Sequence, residues 1–444
     1  MIELYPHQRE ALKLTKDKNR VAYYLDMGLG KTFIGSEKML SLNSRMNLLV
    51  CQKSKIEDWK EHFLKFYSKE FMIYDLTIGK EMSLFQEILQ KENKEKILVI
   101  INYELAFRRS SLLKLKSFTL MLDESSMIQN EMAKRTKFIL KMDPENVILL
   151  SGTPTSGKYE KLYSQLRLLG WTITKDLYWK QYIDTEIKDI DGFKIISVKG
   201  YKNVERLKNK LSIHGAVFMK SEEVFDLPEM IEQKVKIRKS KEYSKFMRDS
   251  IITINLNALC EFKDDSDFYG EDVTPRKELV GDTTLTKMLY SRMLCGAYSK
   301  SKIDTFKDLV SSTEDRIIVF YNFNNELEII KKVAADNQRS LSIVNGSERN
   351  LEAYENQDNS ITAIQYQAGA MGLNLQKANK IIYFTLPLSS ELFEQSKKRI
   401  HRIGQSKSCF YYYLIVQNSI DEKIFETLKM RKDYTDALFK KYEE

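Results

Sequence analysis

The sequence predicts an α/β protein built on two parallel sheets in tandem, with helical and hairpin insertions between them. Three observations carry that expectation. Short apolar runs of roughly four to eight residues, rich in β-branched or aromatic side chains, alternate with longer amphipathic stretches, as buried parallel strands alternate with crossover helices. The runs fall into two sets separated by a long polar interval. Only 17 Gly and 6 Pro are spread over 444 residues, so little interrupts long regular elements.

In chain order, the first set of predicted strands is Val21–Asp26, Leu48–Cys51, Met72–Leu76, Ile97–Asn102, Leu120–Asp123 and Val147–Ser151. Helical spacing fills most gaps, as in Ile56, Trp59, Phe63 and Phe66. From about Tyr159 to Lys302 the rhythm fails, and helical or irregular polar text predicts inserted subdomains and a linker, including an acidic patch at Asp264, Asp265 and Asp267. Within it, Asp191-Gly192 lies between Ile187/Ile190 and Phe193–Val198 and predicts a hairpin, because Asp-Gly supplies the positive φ of a tight turn. Pro228 marks the expected hinge. The second set is Ile317–Tyr321, Leu341–Val344, Ala363–Tyr366, Ile381–Phe384 and Tyr411–Val416.

At ~150 residues per domain the length predicts about three domains, or two large ones with insertions. A hydrophobic share of 43% and an aromatic share of 11% exclude wholesale disorder despite 30% charged residues. The net charge of +9 permits a polyanionic partner without demanding one. Cys51, Cys260, Cys295 and Cys409 form no CxxC pair, which argues against a zinc ribbon or disulfide framework and for a reduced compartment. No basic, apolar leader opens the chain, and no run approaches the ~18 apolar residues of a membrane span. An intracellular protein, cytoplasmic or nucleoid, is expected.

Chemistry first becomes legible after the first strand. Leu25-Asp26-Met27-Gly28-Leu29-Gly30-Lys31-Thr32 precedes helical text, and strand, glycine turn, helix is the context of a phosphate site. The glycines let backbone N–H groups wrap phosphates, Lys31 reaches the β/γ-phosphates, and the Thr32 hydroxyl can ligate Mg²⁺. The general P-loop pattern also wants glycine where this chain has Leu25. A second half of such a site is an acidic pair ending a buried strand, and Asp123-Glu124 supplies it: Asp123 to hold Mg²⁺ through water, Glu124 to polarise the attacking water.

These residues resemble the Swi/Snf-type ATPases of helicase superfamily two, and the resemblance runs over most of the chain. The family's loop reads Asp-Glu-Met-Gly-Leu-Gly-Lys-Thr, matched here from Met27 through Gly28, Leu29, Gly30, Lys31 and Thr32, which accounts for the missing early glycine. Tyr5-Pro6-His7-Gln8 resembles the segment whose glutamine reads adenine, so Gln8 is the candidate for base recognition. Leu48 to Trp59 and Ile100 to Leu105 resemble motifs beside the nucleic-acid path, with Gln52 where proline is usual. Ser126 replaces the histidine that ordinarily links the acidic motif to the next one. Leu150-Ser151-Gly152-Thr153-Pro154 resembles the coupling motif that relays nucleotide state. Gly200 to Leu211 and Phe218 to Ser221 resemble the exit of the first lobe, Lys220 and Ser221 replacing its usual arginines. In the second half, Ile317 to Phe323 resembles the motif opening the second lobe, and Gly372-Leu373-Asn374-Leu375 a family signature. Glu394 to Gln405 carries Arg399-Ile-His401-Arg402-Ile-Gly-Gln405, the most specific string in the chain. Arg399 and Arg402, three apart on a helix, share a face. The family's arginine finger falls to Arg402 first and Arg399 second; His401 reads as a structural residue of the motif and not a metal ligand.

The resemblance implies two RecA-like lobes, with residues 1–225 as the ATP-binding lobe including a protrusion over about 159–225, residues 226–300 as linker and helical protrusion, and residues 301–444 as the second lobe. It implies ATP sandwiched between the lobes, Mg²⁺, and Gly372 and Gln405 as further nucleotide contacts. The implied activity is that of a DNA-dependent ATPase tracking along duplex DNA without sequence preference, remodelling DNA structures or displacing bound proteins, as in repair or recombination. A monomer is expected, in a stripped-down form like a bacterial or viral motor. An RNA-dependent ATPase and a nucleotide-gated DNA clamp without turnover remain alternatives at this point.

Overall fold

The computed structural model describes residues 3–88, 95–190, 193–255, 276–369 and 373–439. They form two compact units, Met1–Asp226 with Arg431–Glu444, and Leu227–Met430. The first unit holds strands β1 (Arg20–Leu25), β2 (Met46–Cys51), β3 (Met72–Asp75), β4 (Ile97–Asn102), β5 (Phe118–Leu122), β6 (Asn146–Ser151), β7 (Ile183–Ile190), β8 (Phe193–Tyr201) and β9 (Ala216–Met219). The second holds β10 (Met230–Ile237), β11 (Ile251–Asn255), β12 (Arg276–Val280), β13 (Ile317–Tyr321), β14 (Leu341–Val344), β15 (Arg349–Asn350), β16 (Ile361–Gln365), β17 (Lys380–Tyr383) and β18 (Cys409–Val416).

The first sheet has the order β3-β4-β2-β5-β6-β1-β9, and every pair in it is parallel. Helices cover both faces, which is why its strands read as unbroken apolar runs. Successive residues point to opposite sides: Ala22, Tyr24, Leu48 and Val50 join one core, whereas Val21, Tyr23, Leu49 and Cys51 join the other. The helix Ile56–Tyr67 shows how a crossover is held. Ile56, Trp59, Phe63 and Tyr67 are its buried face, and Glu57 and Asp58 sit in its first turn, where acids complement the helix dipole.

The second sheet has the order β10-β18-β17-β13-β16-β14-β15, parallel except for the β14–β15 pair. It too separates two cores, with Ile317 and Val319 on one face and Ile318 and Phe320 on the other. The two tandem α/β units expected from the sequence are thus observed, with strand ends shifted by one or two residues.

The polar interval needs correction. Expected to be helical or irregular apart from one hairpin, it contains six strands among the described residues, four of them beyond that hairpin. β7 and β8 form the expected antiparallel hairpin; its Asp191-Gly192 turn lies outside the described residues, as do the acidic patch around Asp264 and Cys260. β9 adds an edge to the first sheet beside β1. β10, read as linker, pairs with β18 over eight residues. Its alternation of Ile231, Val235 and Ile237 with Glu232, Lys234 and Lys236 lacks a continuous apolar run because an edge strand buries less than a central one. Cys51, Cys295 and Cys409 are buried free thiols. Among the described residues no helix is long and apolar enough to cross a membrane.

Candidate nucleotide site and its links

The site is built where β1, β6 and β5, adjacent in the first sheet, reach their carboxyl ends, the edge at which open α/β sheets place ligands. β1 runs into the loop Asp26–Gly30, and the helix Lys31–Leu42 follows. Gly28 and Gly30 take φ of 89° and 71°, a left-handed backbone that favours glycine and lets the loop curl around a helix N-terminus. Lys31 turns back on the strand it follows: its Nζ donates to the carbonyls of Leu25 (2.8 Å) and Asp26 (3.1 Å). Burial pulls the pKa of its ammonium down, and the charges of Glu124, Asp26 and Asp123 counter that pull.

β5 delivers the acidic pair. Asp123 N–H still donates to Val50 O (2.9 Å), continuing the sheet ladder. Glu124 then adopts φ 49°, which few residues with a β-carbon tolerate, so the turn is enforced by its surroundings. Tyr103, wholly buried, donates from its hydroxyl to Asp123 O (2.8 Å). The Asp123 side chain is held at both oxygens: Trp59 Nε1–H donates to Oδ2 (2.8 Å) and Glu124 N–H to Oδ1 (3.1 Å). Burial pushes its carboxyl up, opposed first by the Trp59 hydrogen bond and then by Lys31 and Lys55.

Ser126 stands where the family's linking histidine would be, and a neighbouring connection bypasses it. Ser125 Oγ donates to Gln165 Oε1 (2.8 Å), and Gln165 Nε2 donates to Pro154 O (2.8 Å) in the coupling loop. Tyr24 of β1 donates to the same Gln165 oxygen (3.0 Å). Gln165 is wholly buried, so one amide joins β1, the acidic loop and the coupling loop. Gln129 Nε2 adds a second bond to Pro154 O (3.2 Å). Sequence reading missed Gln165; a buried glutamine among Leu162, Leu166 and Leu169 was its only signal. Gly152 of the coupling loop lies beside Lys31: a β-carbon there would meet Lys31 Nζ and Leu25 O at an ordinary 3.5 Å.

The remaining expected residues of the first unit are gathered round the loop. His7 Nε2 and Gln8 Nε2 both donate to Leu29 O (3.0 and 3.3 Å), and Gln8 Oε1 accepts from Tyr5 N (2.9 Å). Gln8 is buried against Gly30, where an added β-carbon would fall 2.1 Å from its Nε2. The two residues standing in for arginines also have work. Ser221 donates from N (3.1 Å) and Oγ (2.9 Å) to Asp26 Oδ2, and Lys220 pairs with Asp436 (2.9 Å).

In the second unit, Gly372 lies outside the described residues. The helix Ser390–Lys397 ends before Arg399, so Arg399 and Arg402 follow it in a turn segment and do not share one helical face as expected. Arg399 is buried; Arg402 is partly exposed and donates to Asn374 Oδ1. His401 Nε2 donates to Pro228 O (2.8 Å), the structural role expected of it. Gln405 Nε2 donates to the carbonyls of Ala378 (2.8 Å) and Gln376 (3.2 Å), and its Oε1 accepts from the backbone of Ser406 and Lys407, so it clamps the turn.

Comparison with known proteins agrees with this order of motifs. The family model described as the SNF2-related domain matches residues 11–289, and the helicase conserved C-terminal domain matches residues 301–404. The mouse chromodomain-helicase-DNA-binding protein 1-like is 22% identical over 93% of this chain and 47% of its own length. The Drosophila melanogaster SWI/SNF-related matrix-associated actin-dependent regulator of chromatin subfamily A-like protein 1 is 22% identical over 97% of the chain and 55% of its own. An ATP-dependent helicase of Mycoplasma genitalium is 21% identical over 97% and 42%. The chain spans about half the length of the curated relatives it matches. A solved Sulfolobus solfataricus SWI2/SNF2 ATPase core in complex with dsDNA covers 98% of this chain and 92% of its own at 18% identity, with a TM-score of 0.45. With its first matched domain extending over more than half of the residues, the chain belongs to the SNF2-related family.

Proposed function

We propose that the chain is a DNA-dependent ATPase that tracks along duplex DNA. The observation that carries this reading is the convergence of the Gly28–Thr32 loop, the Asp123-Glu124 pair and the Ser151–Pro154 loop at the carboxyl ends of three adjoining strands, in a chain of this family. The loop N–H groups and Lys31 bind the β/γ-phosphates of ATP, and Glu124 orients and polarises the attacking water. Gln8, fixed against Leu29, lies on the loop where it can read the base. Arg402, with Arg399 second, neutralises charge on the transferring phosphoryl group.

The residues fit a divalent cation: two positive-φ glycines open the loop, the Thr32 hydroxyl begins the helix, and Trp59 fixes one face of the Asp123 carboxylate. Bound Mg²⁺ would offset charge developing on the phosphate oxygens. Thr32 and Asp123 would hold it.

Loss of the γ-phosphate is relayed from the acidic loop through Ser125 and Gln165 to Pro154, and alternation between the two nucleotide states drives stepwise movement. Phosphate contacts carry no sequence information, so duplex binding is largely sequence-independent and weakens steeply with salt. ATP hydrolysis measured with duplex DNA, single strands and RNA tests the reading. Duplex should stimulate most, and Lys31→Ala and Glu124→Gln should each abolish turnover; stimulation by RNA alone, or a wild-type protein that binds DNA without turnover, would overturn it.

A further inference from the structure

The helicase motifs leave unexplained the basic segment that opens the second unit. Seven of the fifteen residues from Lys234 to Arg248 are Lys or Arg, against one acid, Glu242. After β10 ends, Ser240 caps the helix Lys241–Asp249, its Oγ accepting from Tyr243 N (3.0 Å). Tyr243 and Phe246 bury one face of that helix in the core, which fixes the element rigidly. Lys241, Lys245 and Arg248, at i, i+4 and i+7, form a stripe on another face, all exposed.

With Lys239 before the helix and Thr253 of β11 opposite, this stripe lines a cavity of about 510 Å³. Arg248 is steadied by both oxygens of Asp249 (2.7 and 3.1 Å). Among the described residues Lys239, Lys241 and Lys245 make no salt bridge, whereas Lys234 beside them is taken by Glu422 and Glu426. Glu242 also lines the cavity, and Asp249 offsets Arg248 and Lys245, so the concavity carries an excess of cations over acids that a polyanion relieves. Ser240 and Ser244 add hydroxyls, and among the described residues no aromatic ring lines the cavity. The chemistry suits phosphates and offers bases no stacking platform.

We propose that this cavity is an accessory seat for the phosphate backbone of duplex DNA, outside the helicase motifs; the proposal rests on the translocase reading above. At 1.5 Å per residue the stripe is ~10 Å long. A DNA strand presents one phosphate per ~3.4 Å of helix axis, so the stripe meets about three phosphates of one strand.

The test is duplex affinity as a function of salt for the full chain and for the triple variant Lys239→Ala/Lys241→Ala/Lys245→Ala. These side chains are exposed, and an unchanged melting midpoint verifies the fold. A log–log salt slope shallower by about 2 to 3 is expected, at about 0.9 per lost phosphate contact. A control triple, Lys114→Ala/Lys137→Ala/Lys141→Ala, removes the same charge from exposed positions on the first unit; an equal change there would reduce the effect to net charge and overturn the seat. An unchanged slope in the first variant also overturns it, and loss of polyglutamate binding by that variant would reassign the cavity to acidic protein. A wild-type protein that binds no duplex sinks the translocase reading and this proposal together, whereas wild-type binding with an unchanged variant slope sinks only the seat.

Discussion

Trp59 and Asp123, 64 residues apart in the chain, are joined by a 2.8 Å hydrogen bond from the indole Nε1–H to the carboxylate Oδ2. Asp123 is held in a buried setting that raises its carboxyl pKa, and this bond is the largest influence opposing the rise. A donor to a buried carboxylate contributes about 1.5–3 kcal/mol. Trp59→Phe keeps an aromatic ring beside Phe63, 5.9 Å away between centroids, and removes only the donor. The Asp123 carboxyl should then rise further, and the acid limb of the ATPase pH profile should move toward neutral pH. Turnover on that acid limb should fall, while the plateau above it changes less. A lowered melting temperature with an unshifted pH profile would make Trp59 a packing residue alone.

Gln165 offers a way to separate coupling from catalysis. Its replacement by Leu leaves the Tyr24 and Ser125 hydroxyls and the Pro154 carbonyl without this partner in a buried site. Buried groups left unsatisfied cost about 1–3 kcal/mol each. Gln129 still reaches Pro154, so a net loss of about 2–3 kcal/mol is expected, seen as a melting temperature lowered by roughly 5–10 °C at ~2–4 °C per kcal/mol for a unit of this size. The more telling readout is the ratio of duplex-stimulated to basal turnover, which should fall more than ATP affinity does. An unchanged ratio would confine Gln165 to stability.

Gly157 is pressed directly against backbone of the last helix. It adopts φ 70°, and a β-carbon there would sit 2.3 Å from Arg431 O and 2.7 Å from Arg431 Cα. Nearby, Tyr159 Oη donates to Tyr434 O (2.7 Å), the Tyr434 ring meets Tyr201 edge-on at 4.7 Å, and Lys220 pairs with Asp436. Gly157→Ala cannot be absorbed by a side-chain shift, because the obstructing atoms are main chain. Residues 431–439 should detach, and limited trypsin digestion followed by mass spectrometry should show new early cleavage at Arg431 and Lys432. Wild-type digestion kinetics would rule out this steric argument.

What was legible in the sequence follows from where the chemistry is stored. The phosphate loop, the acidic pair and the arginine segment are short local strings whose backbone needs, glycines before a helix or acids after a strand, are written in adjacent letters. The central strands were legible because burial on both faces leaves unbroken apolar runs such as Ile97–Asn102. β10 was not, because its edge position tolerates Glu232, Lys234 and Lys236, two of which find distant partners: Glu232 pairs with Lys397 and Lys234 with Glu422. The links inside the site were also hidden. Trp59 reads as one more apolar position on the face of Ile56 and Phe63; only the fold turns its N–H to Asp123. Ser221 looked like a lost arginine, yet it grips Asp26 from 195 residues away. Such contacts join separate strings through the sheet order, which local spacing does not encode.

His62 supplies a test of stability against pH. Its ring lies among Phe33 (4.8 Å between centroids), Trp59 (5.8 Å) and Phe63 (5.5 Å), and its Nε2 is 3.1 Å from Ser36 Oγ, whose own proton goes to Thr32 O (2.9 Å). Burial pushes the imidazole down to about 4, against ~6.5 in an unfolded chain. Between those values the unfolded chain binds a proton that the folded one refuses, so stability falls as pH drops; the contribution is intact above pH ~6.5 and is lost progressively toward pH ~4. The full shift corresponds to ~3.4 kcal/mol, and partial exposure of the ring reduces the expected loss to about 1–2 kcal/mol. His62→Gln cannot titrate and can still donate to Ser36. Urea midpoints of the two proteins should therefore differ between pH 7 and pH 5, the wild type losing about 1 kcal/mol more than the variant. Carboxylates elsewhere titrate equally in both and cancel in the comparison, so parallel pH dependences would show that His62 is protonated in the folded state without cost.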